Sequence, residues 1–287
     1  MATVEATAAA FAGPRRSLAQ RAARFLDRYL LLVYTAFAVA YLMLPIVVMA
    51  LFSFNDPIGK SNFVWRSFTL KAWANPFGVP GLEDAVATSL AIAFLSTAVA
   101  TAIGTLMALA LVRYRFRGSS ATNLFIFLPM ATPEIVLGAS LLTLFVALGR
   151  PPFFPLNFFT ILIAHIMFNI SYVVVTVRAR LYGFDRRLEE AAMDLGANEW
   201  TTFWKVTFPL ILPGIVAGGL LAFSLSIDDF VITNFTAGRT VTFPMFIYGS
   251  ARIGIPVQVN VIGTAIFLVA VGFVLITTII QRRTPAS

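Results

Sequence analysis

Apolar residues run for long distances in this chain, and polar residues are pushed into the gaps between them. Six stretches reach the ~20 helical residues needed to cross ~30 Å of hydrocarbon: 29–54, 84–112, 121–148, 156–178, 208–233 and 258–280. They predict an all-α polytopic membrane protein with six transmembrane helices. Pro129 and Pro133 fall inside the third stretch. They leave backbone carbonyls without helical donors, which predicts a broken helix lining a cavity. On the fourth, His165, Asn169 and Tyr172 recur at i, i+4 and i+7 and so share a face. Thr97, Thr101, Gly104, Thr105 and Ala108, with Gly214 and Gly218, are small residues that permit close helix packing.

The longest polar island lies between the fourth and fifth stretches, from Leu188 to Gly214, and holds Glu189, Glu190, Asp194 and Glu199. Helix-favouring Leu188–Leu195 stops at Gly196, a natural helix terminator. A second helical piece over Asn198–Val206 leads into the fifth stretch, with Pro209 and Pro213 bending its entry. The geometry is that of a helix–turn–helix knob offering Leu188, Ala192, Leu195 and Trp200 to a partner; a plain connecting loop is the alternative. Residues 55–83 and 234–257 are turn-rich, with Asn55-Asp56-Pro57, Asn75-Pro76 and Pro80-Gly81 in the first. The second surrounds the apolar piece Met245–Tyr248 with Pro244, Gly249, Gly254 and Pro256, which reads as a re-entrant or surface loop of a helical turn or two.

Composition agrees with a membrane protein. The chain of 287 residues is 59% hydrophobic and only 12% charged, where soluble domains are ~45–50% apolar and ~25% charged. With no cysteine and one histidine, disulfides are excluded and no His/Cys metal site is expected. A net charge of +8 raises the question of nucleic acid, but the basic residues sit in short clusters between apolar runs. Fifteen lie with the amino terminus, the carboxyl terminus or the gaps that begin at Arg113 and Arg178, against six (Lys60, Arg66, Lys71, Arg150, Arg239, Arg252) in the other gaps. That bias places both termini and the 179–207 loop in the cytoplasm. Residues 1–28 interleave Leu18, Ala22, Phe25 and Leu26 with arginines and read as a basic amphipathic segment on the membrane surface, ahead of a membrane domain over 29–287.

Three acids lie in or at the ends of apolar stretches. Glu134 falls mid-way along the third, where an ionised carboxylate costs ~2.5–3.5 kcal/mol on insertion scales and must face water, protein or ligand. It either contributes to the path of a cationic substrate or makes a polar contact to a neighbouring helix or subunit. Asp228 and Asp229 lie ~30 Å along a helix from Phe208 and point ~100° apart, so only one faces a pore squarely. At least one is assigned to the substrate path, where carboxylates at a mouth steer a cation. Asn169 and Tyr172 join this group as pore-lining candidates, interhelical hydrogen bonding by the His165–Asn169–Tyr172 stripe being the alternative. The chain has no Gly-rich phosphate loop ending in Lys-Ser/Thr and no catalytic constellation, so it is not expected to be an enzyme or to hydrolyse ATP itself.

The run Glu190-Ala191-Ala192-x3-Gly196-x9-Val206-x-Phe208-Pro209 resembles the EAA loop of bacterial ABC importer permeases, with Phe for the usual Leu before the first proline. The likeness extends over about 52–280. Ser53-Phe54-Asn55, Arg113-Tyr114-Arg115-Phe116-Arg117-Gly118, Pro133-Glu134-Ile135-Val136, Ala164-His165-Ile166, Gly183-Phe184-Asp185 and Ser226-Ile227-Asp228-Asp229 are similar to the spermidine/putrescine permease subfamily. Phosphonate, opine and other organic-cation importers share much of this pattern.

The resemblance implies a type I ABC importer permease (MetI-like) architecture in the bacterial inner membrane. It assigns Glu190, Ala191, Ala192 and Gly196 to docking on a cytoplasmic ABC ATPase dimer. It implies a second, homologous permease subunit and an extracytoplasmic binding protein as partners, besides the bilayer. ATP and Mg would be bound by the ATPase, and no cofactor by this chain. An ion-driven secondary transporter would also carry acids and broken helices, but gives no reason for the Glu190–Gly196 knob.

Overall fold

The structure, a computed structural model, describes residues 18–59, 61–114 and 116–283. In chain order its helices are α1 Leu18–Phe52, α2 Lys71–Ala74, α3 Leu82–Arg113, α4 Ser119–Ala131, α5 Glu134–Leu148, α6 Phe158–Tyr182, α7 Arg187–Asp194 and α8 Glu199–Thr202. A π-helical turn, Phe203–Thr207, follows, then α9 Phe208–Ile227, α10 Val231–Thr236, α11 Phe243–Ile253 and α12 Val257–Arg283. Among the described residues the only β-type pairing is an isolated antiparallel bridge, Asn55 to Phe68. The proposed amphipathic segment falls outside the described residues over 1–17.

Four helices are each long and apolar enough to cross a membrane: residues 29–52 of α1, then α3, α6 and the continuous run Glu199–Ile227. α4 and α5 together supply a fifth crossing length but are bent by 109° at Thr132-Pro133. The third stretch is therefore two helices, with Glu134 not mid-helix but the first residue of α5. The fifth stretch is also shorter than its hydropathy suggested. α9 ends at Ile227, and 231–236 is a separate short helix. In α12 the described apolar portion is Val257–Gly272.

The chain divides into two units, 1–76 with 257–287, and 77–256. In the first, α1 packs on α12 where Gly263 lets the helices close; a Cβ there would stand 2.8 Å from Met49 Sδ. The 53–74 segment is held by Asn55, which is buried rather than a simple turn residue. Its amide donates to Asn62 Oδ1 and to the Val64 carbonyl, both at 2.7 Å, and its Oδ1 accepts from Arg66 N at 2.8 Å. Phe54 stacks between Phe68 and Trp73, each 5.4 Å away.

In the second unit α3, α6 and α9 form a tight three-helix contact. Without a hydrophobic force between helices in lipid, close backbone approach supplies the attraction, and the small residues sit where it happens. A Cβ on Gly104 would lie 2.7 Å from Val173 Cγ1, and one on Gly218 3.5 Å from the same atom. Val173, Val174 and Val177 fill the core with Ala108, Ile211 and Ala222. A second cluster, Leu141, Phe145, Ala164, Phe168 and Ile232, joins α5, α6 and α10. α6 starts at a capping box, Asn157 Oδ1 accepting from Phe159 N and Thr160 Oγ1 from Asn157 N. α11 is longer than the turn or two expected around Met245, and Ser89 Oγ of α3 accepts from Phe243 N at its start.

Candidate functional site

The acids separate by environment. Glu134 opens α5 directly after Pro133 and is exposed; a negative charge is favoured there because the first N–H groups of a helix point at it. Tyr172 of α6 is half-buried, packs on Phe168 at 4.9 Å between ring centroids, and lies within electrostatic reach of Glu134.

Asp228 is the C-cap residue of α9 and exposed, whereas the Asp229 side chain is only 7% exposed. Asp229 Oδ2 accepts from Thr233 N and Thr233 Oγ1, both at 2.8 Å, and its Oδ1 from Ile232 N at 3.3 Å. This satisfies the first turn of α10, whose N-cap residue, Phe230, makes no side-chain capping bond. His165 Nε2 lies 3.3 Å from Asp229 Oδ2 and 2.9 Å from Thr233 Oγ1, and its Nδ1 lies 2.6 Å from Ser226 Oγ. Because the Thr233 hydroxyl donates to Asp229, it accepts from Nε2–H. Ser226 in turn meets Ser96 Oγ at 3.0 Å. One buried polar chain thus links α3, α9, α6 and α10.

Asn169, one turn along α6 from His165, is fully buried, and neither amide atom has a hydrogen-bond partner among the described residues. Of the five residues assigned to a substrate path, Glu134 and Asp228 are exposed and Tyr172 is partly so. Asp229 and Asn169 lie in the interior. No group of three or more His, Asp or Glu side chains suited to a metal occurs among the described residues.

The Leu188–Gly214 island forms the knob. α7 covers Arg187–Asp194 and Gly196 has φ +91°, the left-handed conformation that ends helices. Asn198 caps the second piece, its Oδ1 accepting from Thr201 N at 2.8 Å. That piece is continuous with α9 through the π-turn rather than separate from it, so Pro209, two residues past the turn, removes a backbone donor from inside the run. Glu190, Ala191 and Gly196 are exposed, as are Leu195 at 90% and Trp200 at 71%. Glu189, which no motif singled out, points the other way: its Oε1 accepts from Arg113 Nη2 and from Thr207 Oγ1.

Residues 100–284 match the family described as the binding-protein-dependent transport system inner membrane component. The chain is 39% identical over 246 residues to the spermidine/putrescine transport system permease protein PotC of Haemophilus influenzae, covering 85% of this chain and 93% of that one. It is also 39% identical over 238 residues to the putrescine transport system permease protein PotI of Escherichia coli, covering 82% and 84%. In fold it resembles a chain of a bacterial ABC transporter that imports the acidic polysaccharide alginate, with TM-score 0.63, 17% identity, and coverage of 94% and 99%. With its long apolar helices it is a multi-pass protein of the bacterial inner membrane. The chain belongs to the family of inner membrane components of binding-protein-dependent transport systems.

Proposed function

We propose that this chain is one half of the transmembrane pathway of an ABC importer for polyamines. The observation that carries the reading is 39% identity, spread over 85% of the chain, to a spermidine/putrescine permease. The site chemistry supports it, since a polyamine is a flexible polycation and the open side chains of the mouth include the carboxylates of Glu134 and Asp228. Six spans with both termini in the cytoplasm fit the basic-residue bias. An external binding protein delivers substrate to loops 55–83 and 234–257. A cytoplasmic ATPase dimer holds ATP and Mg and grips the knob through Glu190, Ala191, Ala192 and Gly196. A second, homologous permease supplies the other wall of the path.

In this mechanism the permease residues carry no covalent chemistry. They offer charge at one end and a handle at the other, and ATP binding by the partner shifts the helices between outward and inward openings. The test is reconstitution with the ATPase, sister permease and binding protein of the same transport system. ATP-dependent uptake, with ATPase activity stimulated by spermidine or putrescine and not by phosphonates or amino acids, is expected. Stimulation by a different substrate class overturns the polyamine assignment. Uptake driven by an ion gradient without ATP overturns the importer class.

A further inference from the structure

None of the eight residues of α7 is buried. Leu188 is 48% exposed and Met193 43%, so hydrophobic packing does not fix this helix to the rest of the chain. A charged clasp does. Glu189 Oε1 accepts both from Arg113 Nη2, at the last residue of α3, and from Thr207 Oγ1, at the last residue of the π-turn. Arg113 Nη2 also lies 3.4 Å from Thr207 Oγ1. The clasp is sheltered, with side-chain exposures of 25% for Arg113 and 14% for Glu189, and Thr207 is fully buried. A charge-assisted hydrogen bond in such a place is stronger than one in open water. Beside it Arg180 Nε, near the end of α6, donates to the Leu210 carbonyl at 3.0 Å, and Gly214 makes room for the Arg180 stem.

The π-turn has a part in this. Such a turn inserts one residue into the helical register and is frequent at functional sites. Here it stands between the capped piece Glu199–Thr202 and α9, and it ends on Thr207. Phe203, the first residue of the turn, packs against the α3–α6–α9 core. One face of the turn is therefore rooted in the membrane helices while its last residue holds the knob.

We infer that Glu189 is the positioning residue through which the knob moves the membrane helices. The Arg113–Glu189–Thr207 clasp makes α7, the end of α3 and the root of α9 one rigid block, so a displacement of the knob reaches both helices together. Glu190, exposed on the same helix, is left to the partner. This inference rests on the reading of the knob as the element gripped by the ATPase.

The test uses the reconstituted complex and three readouts: recovery of the ATPase with the permease, substrate-stimulated ATP hydrolysis, and substrate imported per ATP. Glu189→Gln, Arg113→Gln and the near-isosteric Thr207→Val are expected to keep the ATPase bound and hydrolysing while import per ATP falls by at least about fivefold, the lower end of coupling free energies between sites. The charge exchange Arg113→Glu with Glu189→Arg is expected to recover part of that loss. Wild-type import per ATP in Glu189→Gln and Thr207→Val overturns the inference. So does loss of the ATPase from Glu189→Gln, because Glu189 would then be a partner contact. If Gly196→Asp and Glu190→Gln also leave import and ATPase recovery unchanged, it is the knob assignment that fails and not the clasp alone.

Discussion

His165 Nε2 stands 3.3 Å from Asp229 Oδ2, and this pairing turns Asp229 away from its exposed neighbour Asp228. Two consecutive carboxylates of identical chemistry thereby take different tasks. Asp229 caps α10 and ties it to α6 and α9, while Asp228 has no such role.

The first prediction separates them. Asp229→Ala leaves the buried Thr233 N–H and hydroxyl without an acceptor, and each such group costs about 1–3 kcal/mol. The purified chain is expected to melt at lower temperature, with maximal uptake reduced. Asp228→Ala is expected to leave the melting temperature unchanged and to raise the substrate concentration needed for half-maximal uptake. Equal thermal effects of the two substitutions would count against the division.

Glu134 and Tyr172 are expected to act on affinity. A hydrogen bond to a charged group contributes about 1.5–3 kcal/mol, so Glu134→Gln should raise the half-saturating polyamine concentration about 10–150-fold. Tyr172→Phe should do so less, since the phenol is uncharged. Uptake titrations with a dication and a longer polycation measure both, and unchanged half-saturation in Glu134→Gln removes that residue from the path.

Gly104 and Val173 mark where α3 meets α6. An alanine at 104 would place its Cβ 2.7 Å from Val173 Cγ1, and overpacking of this kind costs about 1–3 kcal/mol. Gly104→Ala is expected to lower thermal stability in detergent, and Val173→Ala added to it to restore part of the loss. Additive destabilisation by the pair would show that the contact is not shared.

Gly196 tests the knob from the other direction. No atom lies within 4 Å of a Cβ built there, so a side chain meets only the φ +91° backbone strain, about 1–2 kcal/mol. Gly196→Asp is expected to leave the chain inserted and folded but to abolish uptake, and Gly196→Asn, which tolerates this conformation better, to be milder. Uptake at the wild-type level in a normally inserted Gly196→Asp protein would remove the knob from coupling.

Much of the fold was legible because hydropathy, capping and small-residue spacing are local signals. The helix stop at Gly196, the restart at Asn198 and the α3–α6–α9 packing all follow from residues a few positions apart. Other features depend on partners far along the chain. The 109° bend at Thr132-Pro133 is not encoded in the prolines, which permit a break but set no angle. Glu189 and Glu190 are equivalent in charge and helix propensity, and nothing local gives Glu189 its partners, Arg113, 76 positions away, and Thr207. The same holds for Asp229, whose histidine lies on another helix, and for Asn55, which reads as a turn residue yet is the internal staple of its loop.

No residue of α7 is buried, although Glu189 is held by Arg113 and Thr207, and this carries a further consequence for how such proteins diversify. A surface that contributes nothing to its own core is free to be re-lettered without cost to folding. On the proposed reading Leu188, Glu190 and Met193 are free to drift to suit a different motor while Glu134 and Asp228 stay as they are. On that reading motor choice and cargo choice are independent, so exchanging the exposed positions between Arg187 and Gly196 while keeping Glu189 should redirect the first without altering the second.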